Sequence, residues 1–343
     1  MQVADFDYQL PEELIAQEPL AQRDHSRLMV VEKTAGTWHH TTFPQIGAWL
    51  QPGDLMVFND TRVIPARLWG RRVPGGGKVE VLLLSPRGTD RWEVLVNPGR
   101  KVPPGQELTF GPNGELTAVA EERTAFGGRV LRFNQEGAAL RAAFMALGEV
   151  PLPPYIKAPL TNIERYQTVY AREEGSVAAP TAGLHFTPEL LAGLEAAGVK
   201  TGYLTLHVGL GTFRPVKAEV VTEHKMHAEY FAISPELAEA IAATKASGHR
   251  VIAVGTTSAR ALETMGQADG TVRPGSGQTE IFIYPGYKFK VLDGLVTNFH
   301  LPRSTLLMLV AAFAGRELIL AAYQEAIKER YRFFSFGDAM LII

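Results

Sequence analysis

Residues 234–254 read SPELAEAIAATKASGHRVIAV, and this stretch decides the fold class. The serine, proline and glutamate at 234–236 are residues preferred at the N-cap and in the first turn of an α-helix. Gly248 suits the position just after such a helix, because glycine adopts positive φ without strain. The apolar residues 251–254 then predict a strand. The stretch therefore predicts a helix followed directly by a buried strand.

The same pattern occurs earlier in the chain. TPEL at 187–190 begins a predicted helix, Gly198 ends it, and residues 203–208 form the next predicted strand. Farther along, the sequence predicts strands at 280–284 and 294–297, and helices at 304–314 and 317–328. Alternating helices and strands are typical of a mainly parallel sheet with helices on both faces. We therefore expect an α/β fold with a three-layer αβα domain.

The segment from residue 61 to residue 149 has a different pattern. Glycine- and proline-rich turns separate short predicted strands at 79–84, 92–96, 107–110, 116–119 and 129–133, and a predicted helix at 138–147 follows. Several short strands at this spacing are typical of a small β-barrel or sandwich. We therefore expect an α/β catalytic domain formed by residues 1–60 and 150–343, with residues 61–149 inserted as a small, basic, β-barrel-like domain.

The composition excludes several kinds of protein. The chain has 343 residues, no cysteine, and a formal net charge of −2 from 34 Lys and Arg against 36 Asp and Glu. Without cysteine there is no disulfide, no thiolate nucleophile and no cysteine-bound zinc or iron–sulfur cluster. No apolar run approaches the ~20 residues that cross a bilayer, and the acidic N-terminus does not resemble a secretory signal. We expect a cytoplasmic protein without a membrane partner.

The near-neutral total conceals a basic segment. Residues 62–101 contain nine Arg or Lys and three acidic residues, a net charge of +6, while the rest of the chain carries −8. Trp69 and Trp92 lie among these basic residues. Basic β-barrels with aromatic side chains suit the phosphates and bases of nucleic acids, although a solvated surface can have the same composition. The segment is therefore a candidate nucleic-acid surface.

Four segments rich in small and polar residues are candidates for a ligand site. They lie at 178–186, 206–213, 254–260 and 297–305, and the last three follow predicted strands. In open α/β sheets, ligands bind at the carboxyl ends of strands, where glycines let backbone N–H groups approach an anion. The dinucleotide fingerprint and the P-loop motif do not occur in the sequence, so neither an NAD site nor a Walker-type ATP site is predicted.

Histidines supply groups for proton transfer. His207 and His300 lie within the polar segments, and His224 and His227 lie three residues apart in EHKMHAE at 223–229. Imidazole is the side chain most often used as a general acid or base near neutral pH. A metal site is less favoured, because the H-E-x-x-H signature is absent and no thiolate is available. These four histidines are our candidate catalytic residues, and no metal ligand is predicted.

Several long motifs are distributed along the whole chain. They are FNDTRVIPARL at 58–68, GKVEVL at 77–82, LPPYI at 152–156, YQTVY at 166–170, VAAPTAGLHF at 177–186, LHVGLGTF at 206–213, HKMH at 224–227, VGTTS at 254–258, IFIYPGY at 281–287, TNFHLP at 297–302 and the segment 331–340. Together they resemble the S-adenosylmethionine:tRNA ribosyltransferase-isomerase family, which makes epoxyqueuosine in queuosine biosynthesis.

The resemblance implies an unusual transferase reaction. S-adenosylmethionine donates its ribosyl unit, rather than its methyl group, to 7-aminomethyl-7-deazaguanine at the wobble position of a tRNA anticodon. Adenine and methionine leave, and the isomerised ribosyl unit completes epoxyqueuosine-tRNA. The first step implied is proton removal from C5′, which the sulfonium acidifies. His207, His224, His227 and His300 are the candidate acids and bases, with Glu229 and Asp293 as carboxylate alternatives.

The same resemblance implies the partners and the binding residues. We expect a monomer that acts on S-adenosylmethionine and tRNA, with no resident cofactor and no metal. The anticodon base would leave its loop and stack on an aromatic side chain such as Tyr155, Tyr284 or Phe299. The expected substrate-binding residues are Arg62, Thr181, Gly183, His185, Gly209, Gly211, Thr212, Gly255, Thr256, Thr257, Ser258, Arg260, Tyr284 and Asn298.

Two other functions are compatible with parts of the sequence. One is a non-catalytic RNA-binding protein that uses only the basic barrel, and it would leave the histidines beyond residue 183 without a purpose. The other is a His-ligated metal hydrolase built on residues 223–229. Metal analysis of protein purified without added metal, followed by chelation, separates the hydrolase from the other functions.

Overall fold

The structure is a computed structural model of the chain, and it describes residues 1–124, 127–160, 162–209, 216 and 218–343. Packing divides the chain into two compact units. The α/β unit consists of Met1–Arg62, Pro153–Glu173 and Ala179–Ile343, and the barrel unit of Val63–Leu152 and Glu174–Ala178. Residues 174–178, which the sequence placed in the α/β domain, therefore pack with the barrel. The division into domains at residues 60 and 150 stays a prediction.

The described part of the chain contains strands and helices with the following bounds. The strands are β1 (Arg27–Glu32), β2 (Thr37–Thr42), β3 (Leu55–Asn59), β4 (Thr61–Val63), β5 (Arg67–Val73), β6 (Lys78–Pro86), β7 (Arg91–Asn97), β8 (Glu107–Phe110), β9 (Leu116–Arg123), β10 (Arg129–Phe133), β11 (Gly148–Glu149), β12 (Glu173–Ser176), β13 (Lys200–Leu206), β14 (Glu229–Ile233), β15 (Val251–Val254), β16 (Gly275–Thr279), β17 (Gly294–Asn298) and β18 (Ala339–Ile342). The α-helices are α1 (Gly137–Leu147), α2 (Pro188–Ala196), α3 (Pro235–Ala246), α4 (Thr256–Met265), α5 (Thr305–Ala314) and α6 (Arg316–Lys328).

The α/β unit is built on a nine-stranded sheet in the order β16-β14-β13-β3-β15-β17-β18-β1-β2. Its four central strands, β13, β3, β15 and β17, are parallel, and β1 is parallel to β18. The other pairs are antiparallel, so the sheet is mixed and not mainly parallel. The connection between β1 and β2 spans only residues 33–36, and such a short connection can join only antiparallel strands.

Helices cover both faces of the central strands, as the α/β prediction required. Met56 and Phe58 of β3 face a core that contains Phe43 and Leu194, from the 3₁₀ helix Phe43–Trp49 and from α2. On the opposite face, Leu237 of α3 packs so close to Gly202 that an added Cβ would lie 2.6 Å from its Cδ1. Residues alternate between the two faces of a strand, so β3 contributes to both layers. The α/β class is confirmed.

The predicted helix starts are confirmed in atomic detail. The side chains of Thr187, Ser234 and Ser304 each accept a hydrogen bond from a backbone N–H in the first turn of α2, α3 and α5. Gly198 and Gly248 follow α2 and α3 with φ of 87° and 74°. These caps are local features, and each satisfies groups that a helix terminus leaves unpaired.

One predicted strand is wrong. Residues 280–284 form no strand, and the strand of this region is β16, which ends at Thr279 and pairs with β14. The side-chain oxygen of Thr279 accepts a hydrogen bond from the N–H of Ile281, and the carbonyl of Ile281 accepts one from Arg260. The backbone of this apolar stretch is therefore bonded to side chains rather than to a neighbouring strand.

The barrel unit confirms the predicted barrel. Strands β5, β6, β7, β10, β9 and β8 form a closed ring, because β8 pairs back to β5. The interior contains Phe110, Phe133 and Phe144, with Phe144 supplied by α1. Gly70 lies where a Cβ would be 2.7 Å from the ring of Phe110, so a side chain there would collide with the barrel core.

Among the described residues, no single helix is long and apolar enough to span a bilayer. Helices α5 and α6 together pass that test of length and composition, but they are bent by 115° relative to each other.

Candidate active site

A cleft lies at the carboxyl ends of the central parallel strands of the α/β unit. Strands β13 and β14 lie on one side of β3, and the chain then crosses through α3 to β15 on the other side. The strand order therefore reverses beside β3, and ligands of α/β sheets bind at such switch points. This main cleft measures about 640 Å³ when the solvent at its mouth is included. Its lining comprises Tyr155, Ala179, Pro180, Thr181, Ala182, Val208, Gly255, Thr256, Thr257, Thr297, Asn298, Phe299, His300, Leu301, Ser304, Leu306, Phe334 and Ser335.

Gly255 lies at the start of α4 and sets the direction of that helix. Its φ of 89° and ψ of 151° fall in a region that is essentially reserved for glycine, and its N–H donates to the carbonyl of Val296. Thr256 and Thr257 then begin α4 at the cleft wall. Backbone N–H groups in the first turn of a helix lack partners within the helix, so this wall favours a carboxylate or another anion.

Asn59, at the end of β3, joins the strands around the cleft. Its Nδ2 donates to the carbonyl of Leu206 at 2.9 Å and to Oγ1 of Thr257 at 3.2 Å. Its Oδ1 accepts from the N–H groups of Leu206 and Thr61. Asn59 is buried and positions Thr257, and the sequence analysis did not single it out.

His300 lines the main cleft as a neutral imidazole. Its Nε2 lies 2.7 Å from Oγ1 of Thr297, and its side chain is buried, which lowers its pKa to about 3. The hydroxyl of Tyr323 accepts a hydrogen bond from the N–H of His300 at 3.0 Å, and the hydroxyl of Tyr8 donates to its carbonyl. The ring therefore has a set orientation and no charge near neutral pH.

A chain of hydrogen bonds connects the main cleft to a second histidine. Thr181 donates to Oδ1 of Asn298 at 3.1 Å, and Nδ2 of Asn298 lies 3.1 Å from Nε2 of His185. Nδ1 of His185 lies 2.7 Å from the hydroxyl of Ser26. Burial, followed by the charge of Arg332, lowers the pKa of His185 to about 3. The neutral imidazole of His185 thus orients Asn298, and Asn298 in turn orients Thr181.

The aromatic candidates for base stacking differ in their surroundings. Tyr155 lines the cleft, lies 4.8 Å from the ring of Phe334 and is 2.6 Å from the hydroxyl of Ser335. Burial raises its pKa to about 12, so it remains a phenol. Phe299 is fully buried among other aromatic rings, and Tyr284 packs on Phe282 away from the lining residues. Of the three candidates, Tyr155 and Phe299 both line the cleft, and Tyr155 is the one that is not fully buried.

His207 lies beside the cleft rather than in its lining. It follows β13, next to the lining residue Val208, and its Nδ1 is 2.8 Å from Oγ1 of Thr61. Its ring stacks on Tyr230 at 5.4 Å. Burial lowers its pKa, partly offset by the charge of Glu173. A neutral imidazole with access to a hydroxyl is competent to accept a proton.

His224 and His227 lie in the segment that leads into β14, outside the cleft lining. The ring of His224 meets Phe282 edge-on at 5.3 Å, and burial followed by the proximity of His227 lowers its pKa. Among the described residues, no group of three or more His, Asp or Glu side chains is arranged to hold a metal ion.

The charge of the buried Arg260 side chain is balanced by a carboxylate. It forms a buried ion pair with Glu229, and the other carboxylate oxygen of Glu229 accepts the N–H of Gly209 at 2.8 Å. Arg260 and Gly209 are thus held together, and the guanidinium is already paired with a carboxylate. The role of Arg260 as a substrate ligand stays a prediction.

The remaining predicted residues have other neighbours. The hydroxyl of Ser258 in α4 donates to the carbonyl of Val254 at the end of β15, and Arg62 pairs with Glu164 at 2.8 Å. Gly183 packs so close to Tyr170 that a Cβ would lie 2.0 Å from its hydroxyl oxygen. Gly211 and Thr212 lie outside the described residues. Of the predicted set, the cleft lining brings together Thr181, Gly255, Thr256, Thr257, Asn298 and His300.

Comparison with known proteins identifies the family. A family model described as "Queuosine biosynthesis protein" matches residues 3–342. The S-adenosylmethionine:tRNA ribosyltransferase-isomerases of Moorella thermoacetica and Symbiobacterium thermophilum are each 58% identical over 343 residues, with 100% of both chains covered. A crystal structure of S-adenosylmethionine tRNA ribosyltransferase from Thermotoga maritima is 41% identical, with 99% of this chain and 100% of that chain covered and a TM-score of 0.57.

The mixed sheet, the closed barrel and the polar cleft at the switch point define an α/β enzyme with a small-molecule site. The chain belongs to the queuosine biosynthesis protein family. It is a ribosyltransferase-isomerase, and therefore a transferase. The identification favours neither the non-catalytic RNA-binding protein nor the His-ligated metal hydrolase.

Proposed function

We propose that the protein transfers and isomerises the ribosyl unit of S-adenosylmethionine onto 7-aminomethyl-7-deazaguanine at the wobble position of tRNA. The products are epoxyqueuosine-tRNA, adenine and methionine. The relatives named for S-adenosylmethionine and tRNA support this assignment over the full length of the chain. The reaction needs no resident cofactor, and we propose that a monomer carries it out in the cytoplasm, where tRNA is available.

The observation that carries the proposal is the neutral lining of the main cleft. The described lining residues include no Asp, Glu, Lys or Arg, and His300 is uncharged near neutral pH. S-adenosylmethionine carries a sulfonium cation, which a protonated histidine would repel. A neutral, hydrogen-bonding cleft accepts this cation, while the first turn of α4 at Thr256 and Thr257 offers N–H groups to the methionine carboxylate.

We assign different tasks to the histidines. His300 and the Asn298–His185 pair orient substrate through hydrogen bonds, because a pKa of about 3 leaves both imidazoles unprotonated. Proton removal from C5′ then falls to His207 or His224, whose pKa values burial lowers, so that the basic form prevails at neutral pH. Tyr155 is the proposed stacking partner of the anticodon base.

The test follows adenine release and exchange of the C5′ hydrogen separately, with S-adenosylmethionine and tRNA that carries the aminomethyl base. The wild-type protein releases adenine only when both substrates are present. His207→Gln and His224→Gln identify the base, since the variant of the base loses exchange as well as product. His39→Gln is the matched control, because His39 lies on β2 with its ring paired to Glu32. Absence of adenine release from the wild-type protein contradicts the proposal.

A further inference from the structure

A second cleft in the α/β unit is lined by arginines. Its polar lining residues are Arg23, Ser26, Arg165, His185 and Ser335. Ser335 also lines the main cleft, and His185 is the last imidazole of the hydrogen-bond chain described above. This arginine cleft therefore adjoins the proposed active site.

In the described part of the chain, neither Arg23 nor Arg165 forms a direct ion pair with a carboxylate, although the charge of Glu164 acts on Arg23. Nη2 of Arg23 donates to the carbonyl of Glu164 at 2.8 Å, and Nη1 of Arg165 donates to the carbonyl of Ala21 at 3.0 Å. Carbonyl oxygens satisfy hydrogen-bonding capacity but carry no net charge. Burial lowers the pKa of Arg23, the positive charge of Arg165 lowers it further, and the negative charge of Glu164 partly opposes this decrease. The two guanidinium groups thus act on each other across the cleft.

Two guanidinium donors near the cleft are buried without a hydrogen-bond acceptor. They are Nε of Arg165 and Nη1 of Arg332. Arg332 lies close enough to His185 for its charge to lower the pKa of that imidazole. Leaving a buried charged donor unpaired is unfavourable, so proteins normally supply an acceptor.

The nearby acids are already committed. The carboxylate of Glu164 pairs with Arg62 at 2.8 Å. The buried carboxylate of Asp338, which faces Arg332, accepts the backbone N–H groups of Arg27 and Arg332 at 2.9 and 2.8 Å. Two arginines, Arg23 and Arg165, therefore line the cleft. Arg332 lies near the lining residue His185, with the buried carboxylate of Asp338 beside it.

We propose that the arginine cleft binds a phosphoryl oxyanion, and that this anion is a backbone phosphate of the RNA substrate. Arginines present several donors in a planar group that matches phosphate oxygens, and serine hydroxyls such as those of Ser26 and Ser335 are frequent additional donors. Phosphate contacts set the position of an RNA, so occupancy here would place the adjacent nucleotide at the main cleft. The choice of RNA as the source rests on the proposed function.

The first arm of the test uses inorganic phosphate alone, without RNA or S-adenosylmethionine. Phosphate raises the thermal unfolding midpoint of the wild-type protein at constant ionic strength, relative to chloride. Arg23→Gln and Arg165→Gln abolish this increase, and Arg316→Gln, a control at an exposed arginine paired with Glu317, retains it. No midpoint shift in the wild-type protein overturns the anion site. Arg165→Lys keeps the charge and retains part of the shift, which separates charge from folding.

The second arm measures affinity for tRNA bearing the aminomethyl base. Each glutamine variant weakens binding about tenfold and reduces the slope of log affinity against log salt by about one. The KM for tRNA rises accordingly, while kcat at saturating tRNA changes less than twofold. Phosphate binding with unchanged tRNA affinity in the variants identifies a site for a free anion and overturns the RNA assignment.

The phosphate-binding and tRNA-binding measurements of the two arms do not depend on catalysis. If the wild-type protein binds phosphate and tRNA in the expected way but releases no adenine, the proposed function fails and the anion site stands. If adenine release proceeds and the variants behave as wild type in both binding assays, the anion site fails and the proposed function stands.

Discussion

The main cleft and the arginine cleft share the wall residue Ser335, yet they differ in charge. The described lining of the main cleft is neutral, and its polar side chains bond to one another, as Thr297 does to His300. The arginine cleft is lined by Arg23 and Arg165, which form no direct ion pair with a carboxylate in the described chain, and Nε of Arg165 has no hydrogen-bond acceptor. If the proposed ligands are right, the main cleft takes a cationic small molecule and the arginine cleft a phosphate of the RNA, and mutations should then affect chemistry and affinity separately.

The largest effect is expected for mutations in the main cleft, which test whether chemistry can be separated from tRNA affinity. His300→Gln and Asn298→Ala should lower the rate of adenine release by at least ~100-fold, because each removes an oriented hydrogen-bonding group from the site. Their affinity for tRNA should change less than twofold. The measurements are single-turnover adenine release and equilibrium tRNA binding. A main-cleft variant that loses tRNA affinity as strongly as Arg165→Gln would contradict the division of tasks.

The second prediction compares the two buried histidines, one from each cleft. His185 and His300 have a pKa of about 3 in the folded protein, below the ordinary value of 6.5. Below pH 6.5 the unfolded chain binds protons that the folded chain does not, so acid favours unfolding and stability is unaffected above that pH. Each histidine should contribute roughly 1.4 kcal/mol per pH unit between pH 6 and pH 4.

Denaturant unfolding at pH 7.5, 6 and 5 checks this linkage. The wild-type protein should lose about 2 kcal/mol more between pH 7.5 and pH 5 than His185→Gln or His300→Gln does. Asp60 and Asp338, whose pKa values burial raises, act in the opposite direction, but they are present in all three proteins. Parallel pH curves for wild type and variants would contradict the buried neutral state of the imidazoles.

A backbone substitution provides a smaller test of the main cleft. Gly255→Ala meets no atom closer than 3.5 Å, so its cost arises from the positive φ alone, and ~1–3 kcal/mol of stability should be lost. We expect the KM for S-adenosylmethionine to rise about tenfold, because the first turn of α4 is displaced. Gly193→Ala in α2 is the control, since its Cβ would meet nothing within 4 Å and its helix is unstrained. An unchanged KM for S-adenosylmethionine in Gly255→Ala would contradict the proposed anion-binding role of α4.

The smallest effect is expected for a surface pair. Glu12 and Lys157 form an ion pair at 2.7 Å with both side chains largely exposed. Solvent and salt screen such a pair, so Lys157→Gln should leave the unfolding midpoint, adenine release and tRNA affinity unchanged. A clear fall in tRNA affinity would show that any lost positive charge weakens RNA binding, and it would weaken the special role of Arg23 and Arg165.

Local chemistry accounts for the parts of the fold that the sequence predicted. The caps at Thr187, Ser234 and Ser304 depend on residues within one helical turn, so their identities are sufficient. Helix α4 was not predicted, because its N-cap is Gly255 and its first residues are Thr256, Thr257 and Ser258, which are equally typical of a turn. The antiparallel pairing of β17 with β18 depends on contacts distant in sequence, which periodicity does not report.

The candidate site shows the same limit. The sequence identified Gly255, Asn298 and His300 at strand ends, and the fold of the sheet brings them together. The sequence could not distinguish His300 from His224, because both are histidines. Tertiary contacts place the ring of His300 in the cleft and the ring of His224 against Phe282. The arginine cleft was missed entirely, since Arg23 and Arg165 are far apart in the chain and outside the basic segment at 62–101.

The hydrogen bonds that link Thr181 to Ser26 through Asn298 and His185 all run in the same donor-to-acceptor direction. Thr181 donates to Oδ1 of Asn298, whose Nδ2 donates to Nε2 of His185, which leaves Nδ1–H to donate to Ser26. A proton on Nε2 would set two donors against each other, so the amide of Asn298 would have to turn over and present its NH₂ group to Thr181. The tautomer of His185 and the orientation of the Asn298 amide are therefore coupled through these hydrogen bonds.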